Sequence, residues 1–139
     1  MVRRAERRLQ KENLARRAHV RKEDALTADI QAITGLSSFS GIFMSFTLEL
    51  FDTEEIPVLL DKCKPLLERS EGRLVTISLD KTESLSVRIY EAMHTLFPTA
   101  IDCRPIPVEE IFIQRGFQIL RKREERITGI PVSIVKAVI

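Results

Sequence analysis

Apolar and polar positions recur along this chain with two periods. Apolar residues three or four apart predict helices, and short alternating or continuous apolar runs predict strands. Val2, Ala5, Leu9 and Leu14 form a stripe at helical spacing, so residues 2–14 read as a basic amphipathic helix. "AHVRKEDA", Ala18 to Ala25, reads as a weak short strand with an acidic end. Thr27 to Thr34 reads as a short helix and Gly35 to Ser40 as a loop of small and polar residues. Gly41 to Phe46, "GIFMSF", is a short apolar strand that dissolves into Thr, Glu and Asp.

The next helix is well marked. Asp52 can cap it, and Glu55, three residues on, completes a capping-box spacing with Asp in the Ser/Thr place. Pro57 sits in the first turn, where a missing N–H costs little. Ile56, Leu59, Leu60, Cys63, Leu66 and Leu67 fall on one face. Pro65 would lose a hydrogen bond and clash with the preceding turn inside a helix, so a kink, or an end by Lys64, is expected. "GRLVTISL", Gly72 to Leu79, is a strand rich in β-branched residues. Ser84 to Phe97 reads as a helix stopped by Pro98. Val108 to Arg115 reads as another, with Pro107 at its start and Gly116 just past its end. Phe117 to Lys122 and Pro131 to Ile139 read as strands. In the last, Val135 and Ala137 share one face and Ile134, Lys136 and Val138 the other.

Alternating helices and strands argue an α/β layered domain with a largely parallel sheet. The last two strands have no helix between them. The charged stretch Arg121 to Arg126 and a Thr128–Gly129 turn join them, which predicts an antiparallel hairpin.

Composition narrows the class. The 139 residues fit one domain, and 44% hydrophobic with 30% charged content fits a globular fold. No apolar run approaches the ~20 residues that span a bilayer. The charged N-terminus lacks a signal-peptide core, so a cytoplasmic protein is expected. Cys63 and Cys103 lie far apart with no CxxC, and read as two reduced cysteines. Net charge is +2, but residues 1–22 hold nine Lys or Arg against two Glu, which is +7 and leaves −5 for the remainder. Such a stretch can bind phosphates or form a solvated helix face. Without aromatic interleaving or a nucleic-acid signature, the solvated face is the better reading and a nucleic-acid partner is not expected.

Ligands of open α/β sheets bind outside the carboxyl ends of the parallel strands. That rule picks Glu23–Asp24–Ala25, Ser45–Phe46–Thr47 and Ser78–Leu79–Asp80. A carboxylate at a strand end can accept from an amine donor. For Asp24 a helix N-cap or surface turn is the commoner role. There is no GxSxG elbow, no HExxH and no P-loop. His94 lies on the second half of its helix, where a histidine is more often packed or surface-facing than catalytic. Its near-neutral pKa makes it the best general-base candidate in the chain.

Three stretches carry a resemblance: "GIFMSFTLELFDTEEIPVLLDKCKPLLERSEGRLVTISLDK", "YEAMHTLFPTAIDCRPI" and "IFIQRGFQIL". Together they resemble class I S-adenosylmethionine-dependent methyltransferases, and most of all the ubiquinone/menaquinone-biosynthesis type. The resemblance implies S-adenosylmethionine as cofactor and a small-molecule acceptor. It implies an adenine contact at Asp24 and Ala25, and a methionine-side contact at Ser45, Phe46 and Thr47. It puts Tyr90, His94 and Asp102 to Ile106, Arg104 among them, beside the acceptor, with His94 as the candidate base.

The departures are as informative. The family's glycine-rich motif follows its first strand, and an acidic residue after its second holds the ribose. This chain begins at what would be the next helix, with no glycine before Gly35. Ser40 stands where the family has Asp, "LERSEGRL" replaces an Arg-Pro-Gly-Gly turn, and Pro65 interrupts a helix. The family's sheet order is three-two-one-four-five-seven-six. The expected fold is therefore a partial Rossmann-like class I methyltransferase sheet that lacks the first two strands and ends in an antiparallel strand pair. Residues 1–40 are expected to be loosely held and 41–139 more compact. The exposed sheet edge would favour self-association or a partner chain. Three functions follow: a methyl transfer enzyme, a non-catalytic truncated or split-gene product of the same family, and a basic-helix nucleic-acid module.

Overall fold

A computed structural model describes residues 2–80, 105–127 and 130–139. The helix expected over residues 84–97, and with it Tyr90, His94 and Arg104, lies outside the described residues.

Among the described residues one four-stranded sheet forms, with strands β1 (Gly41–Ser45), β2 (Arg73–Leu79), β3 (Gln118–Ile127) and β4 (Ile130–Val138) in the order β1-β2-β4-β3. β1 runs parallel to β2, with Gly41 opposite Arg73 and Ser45 opposite Ile77. β4 pairs antiparallel with both β2 and β3. The sheet is thus mixed rather than largely parallel, because the C-terminal hairpin folds back onto β2.

The helices are α1 (Val2–Lys11), α2 (Ile30–Thr34), α3 (Glu55–Cys63) and α4 (Val108–Gln114). α3 starts at Glu55 with Glu54, not Asp52, in the N-cap position and without a side-chain cap; of the expected capping box only the returning bond forms, the Asp52 N–H donating to Glu55 Oε2 at 2.9 Å. It stops at Cys63, and the chain tightens into a 3-10 turn over Lys64–Leu66 that places Pro65 outside the α-helix. α4 ends in a Schellman motif. Gly116 takes φ 77°, its N–H bonds to Ile113 O, and the Phe117 N–H bonds to Phe112 O. The rings of Phe112 and Phe117 pack with centroids 5.4 Å apart, which closes the motif with its apolar contact.

The core lies on one face of the sheet. Met44, Leu74, Val135 and Ala137 from the strands meet Ile56, Leu59, Leu60 and Cys63 of α3 and Val108 and Phe112 of α4. Thr76 and Ser78, on the same face of β2 as Leu74, are buried with hydroxyls that find no partner.

Two expected strands differ. Ala18 to Ala25 is not a strand. No strand among the described residues lies beside it or along the outer edge of β1, and a lone stretch this polar gains nothing from extension. Instead the chain turns at Asp24: its Oδ1 accepts from the Leu26 N–H, and its carbonyl accepts from Thr27 and Ala28. β3 is longer than expected, because Arg121 to Arg126 continue the ladder to Ile127 instead of forming its connection. No residue between 2 and 40 is buried. The segment is tethered by Lys62, whose Nζ donates to the carbonyls of Leu26 at 2.6 Å and Ala28 at 3.1 Å.

Candidate functional site

Among the described residues, the carboxyl ends of the parallel pair hold the most unusual chemistry. At the end of β1, Phe46 turns left-handed with φ 48°, a conformation that costs a side-chain-bearing residue ~1 kcal/mol or more. Its N–H still reaches Ile77 O at 2.8 Å, so the ladder holds up to this point. Then the chain leaves the sheet. Thr47 Oγ1 donates to Ser45 O at 3.1 Å, and Leu48–Leu50 form a 3-10 turn that buries Leu48 and Glu49.

Departure of the chain would orphan the next donor of β2, the Leu79 N–H. Glu49 takes it, with Oε1 accepting at 2.5 Å. Among the described residues the second oxygen, Oε2, has no hydrogen-bond partner, although Glu49 is only 2% exposed. Burial pushes the Glu49 carboxyl above the usual carboxylate range, and its own N–H and that of Leu79 only partly offset this. A half-satisfied buried acid is costly. It marks the strand end as a place where a further donor is wanted.

The end of β2 is built from the other side. The Asp80 N–H donates to Pro131 O, and its Oδ2 accepts from Ser133 Oγ at 2.5 Å and lies 3.6 Å from Lys122 Nζ. Lys122 also meets Glu109 at 3.0 Å and Glu124 at 3.1 Å. Desolvation of this ammonium is outweighed by its hydrogen bonds to Glu109 and Glu124 and by the charge of Asp80, so its pKa lies above the ordinary lysine value. The chain returns at Ile106, whose N–H donates to Leu79 O at 3.0 Å. Pro105–Ile106 therefore lies alongside Leu79 and Asp80, with Glu49 on the same residue's N–H.

Of the residues picked from sequence, Ser45, Phe46 and Thr47 stand together at the end of β1. Asp24 is exposed in a turn of its own making, the role a surface Asp takes most often. Ala25 lines an apolar cavity of about 300 Å³ with Gly41, Ile42 and Met44, and Ser45 to Thr47 do not line it. No described cavity joins Asp24 to the strand end. Sequence reasoning passed over Glu49. The sequence "LEL" gives no clear signal for it, since Leu48 on one side is buried and Leu50 on the other is exposed. Cys63 is buried and free, and burial pushes its thiol up to about 11, so it is inert at neutral pH. Among the described residues there is no cluster fit to hold a metal ion, and no helix is long and apolar enough to cross a membrane.

No protein-family model matches the chain, nor does any curated protein. Solved structures do. Magnesium protoporphyrin IX methyltransferase from Synechocystis PCC 6803, with bound SAH, superposes over 99% of this chain and 59% of its own, at TM-score 0.72 and 19% identity. An O-methyltransferase from neocarzinostatin biosynthesis, in complex with S-adenosylmethionine and 2-hydroxy-5-methyl naphthoic acid, matches over 99% of this chain and 38% of its own, at TM-score 0.67 and 18% identity. The mitomycin 7-O-methyltransferase matches over the same 99% and 38%, at TM-score 0.69 and 15% identity. The chain thus spans 38–59% of the length of these enzymes. At such identities the likeness is one of fold alone: the described α/β chain with its four-stranded mixed sheet matches part of the fold of these methyltransferases.

Proposed function

We propose that this chain is a methyltransferase-type domain that uses S-adenosylmethionine and a small-molecule acceptor, with its site at the carboxyl ends of β1 and β2. The observation that carries the reading is Glu49: a buried acid with one bare oxygen, at the strand end where this fold places its ligands. The arrangement fits a ligand rich in hydroxyl and amine donors. Ser45, Phe46 and Thr47 would line the methionine side, and Glu49 Oε2 would accept from a donor of cofactor or acceptor. The adenine contact at Asp24 and Ala25 and the acceptor contacts at Tyr90, His94 and Arg104 belong to the same proposal, on the strength of the resemblance. When bound, the cofactor supplies an electrophilic methyl group on a sulfonium. The protein's part is to hold donor and acceptor in line, exclude water and take up the acceptor's proton. A conjugated acceptor of quinone type suits the resemblance, and a naphthoic acid accompanies one structural neighbour.

A second reading, a non-catalytic product of the same family, is favoured by the unoccupied outer edge of β1 among the described residues. Calorimetry with S-adenosylmethionine separates the two. A saturable heat, lost in Glu49→Ala and weakened in Glu49→Gln, whose amide oxygen stays on the Leu79 N–H and whose nitrogen can only donate, is expected of an independent enzyme. No heat at millimolar cofactor overturns that reading and leaves the second.

A further inference from the structure

Glu49 sits where a charge is hard to hold. Its side chain is buried, Oε1 accepts from the Leu79 N–H at 2.5 Å, and among the described residues Oε2 has no partner. A carboxyl held this way needs either a proton or a compensating positive charge.

The cations of the neighbouring elements are committed elsewhere. Lys122 of β3 is held by Glu109 of α4, by Glu124 and by Asp80. Lys62 of α3 donates to the carbonyls of Leu26 and Ala28, and Lys64 and Arg115 share Asp61. The acids are committed too. Asp80 lies on Ser133 and Lys122, Glu109 on Lys122, and Glu55 on the Asp52 N–H, while Asp52 and Glu54 are exposed. β1 carries no charge. Burial and two N–H groups govern how tightly Glu49 keeps its proton, and no charged side chain is among the causes. The missing positive charge must therefore come from a ligand.

The methyl-transfer reading supplies one. S-adenosylmethionine carries a sulfonium cation, and S-adenosylhomocysteine has a neutral thioether in its place. Resting on that reading, we propose that Glu49 is the counter-charge of the cofactor's sulfonium, ionised while the methyl donor is bound and protonated when the thioether product replaces it. The charges cancel in step. As the methyl group leaves, the bond electrons stay on sulfur, the acceptor gives up one proton, and Glu49 takes up one proton in place of the lost cation. No contact between Oε2 and sulfur is required, since a sulfonium has no N–H to donate. Opposite charges within about 8 Å in a poorly screened interior change each other's binding roughly tenfold or more. The site thereby holds donor more tightly than product.

Calorimetry of the full chain with each ligand, in two buffers of different ionisation enthalpy, counts the protons released on binding. The ligands' own amines titrate alike against both proteins, so the difference between wild type and Glu49→Gln reports this carboxyl. Wild type should release more protons than Glu49→Gln with S-adenosylmethionine, and the same number with S-adenosylhomocysteine. Preference for the sulfonium over the thioether should fall roughly tenfold in Glu49→Gln. Carboxyl NMR shifts of glutamate-labelled wild type check the same point without a variant: one buried carboxyl should ionise with S-adenosylmethionine and stay protonated with S-adenosylhomocysteine. Equal proton release and equal preference in the two proteins, with both ligands bound, overturns the counter-charge and leaves the methyl-transfer reading standing. So does a carboxyl spectrum that responds alike to the two ligands. No heat from either ligand overturns that reading and this inference with it.

Discussion

Compare β1 with β3. Both are outer strands of one sheet, yet β3 is ten residues long and nearly all charged in its second half, whereas β1 is five residues long and uncharged. β3 can be polar because β4 and the Phe112–Phe117 pair fix its position from within. β1 draws its hold from β2 and α3 and ends at a strained residue and a half-satisfied acid. Charge sets one outer strand apart from the other.

The largest expected effect comes from undermining the guarded side. Phe112→Ala removes a fully buried ring and its contact with Phe117, and should cost about 3–5 kcal/mol in urea unfolding. Loosening should appear first in β3, as faster amide exchange from Gln118 onward. If β1 exchanged first instead, the two edges would share one anchor and the contrast would fail.

A smaller effect probes the β1 side. The raised pKa of Glu49 means that the folded state holds a proton the unfolded chain has given up. Stability contributed by this group is therefore present at low pH. It falls as pH rises from the ordinary glutamate range to the raised folded value. Glu49→Gln keeps an acceptor for Leu79 and should flatten that fall, seen as a pH-independent urea midpoint across the same window. Glu49→Ala strands the Leu79 N–H as well, and should cost about 1–3 kcal/mol at neutral pH. An unchanged pH profile in Glu49→Gln would show that the carboxyl is not the titrating group.

The smallest effect on stability sharpens the comparison most. Arg121, Arg123 and Glu125 are exposed, so changing all three to Thr should shift stability by no more than about 0.5 kcal/mol per site. The change removes three of the six charges between Arg121 and Arg126. Sedimentation should then show larger species than the wild type forms, because an edge with less charge pairs more readily. A size distribution like that of wild type would mean that charge is not what guards β3.

Much of this architecture was legible in the sequence, and the reasons differ by element. α3 and α4 carry their own punctuation: Glu55 reaching back to Asp52, Pro65 past the end of one, Pro107 and Gly116 around the other. The hairpin followed from the lack of a helix between two strand patterns. β3 was legible only in part, since a strand on the outside of a sheet keeps no apolar alternation to read, and its ladder with β4 replaces it. Ala18 to Ala25 misled because extended structure is a property of pairs, and no second strand of the pair is present among the described residues. Ser45 to Thr47 could be placed from the strand-end rule alone. Glu49 could not, since its burial depends on the backbone reversing at Phe46, and a Phe announces no such reversal.

That reversal at Phe46 sets a trade-off. Glycine would hold φ 48° without strain, so Phe46→Gly relieves local backbone energy. A laboratory selection for heat resistance alone should drift toward glycine there. A selection for ligand turnover should hold the aromatic ring, and the outcome of running both would show what the ring is kept for.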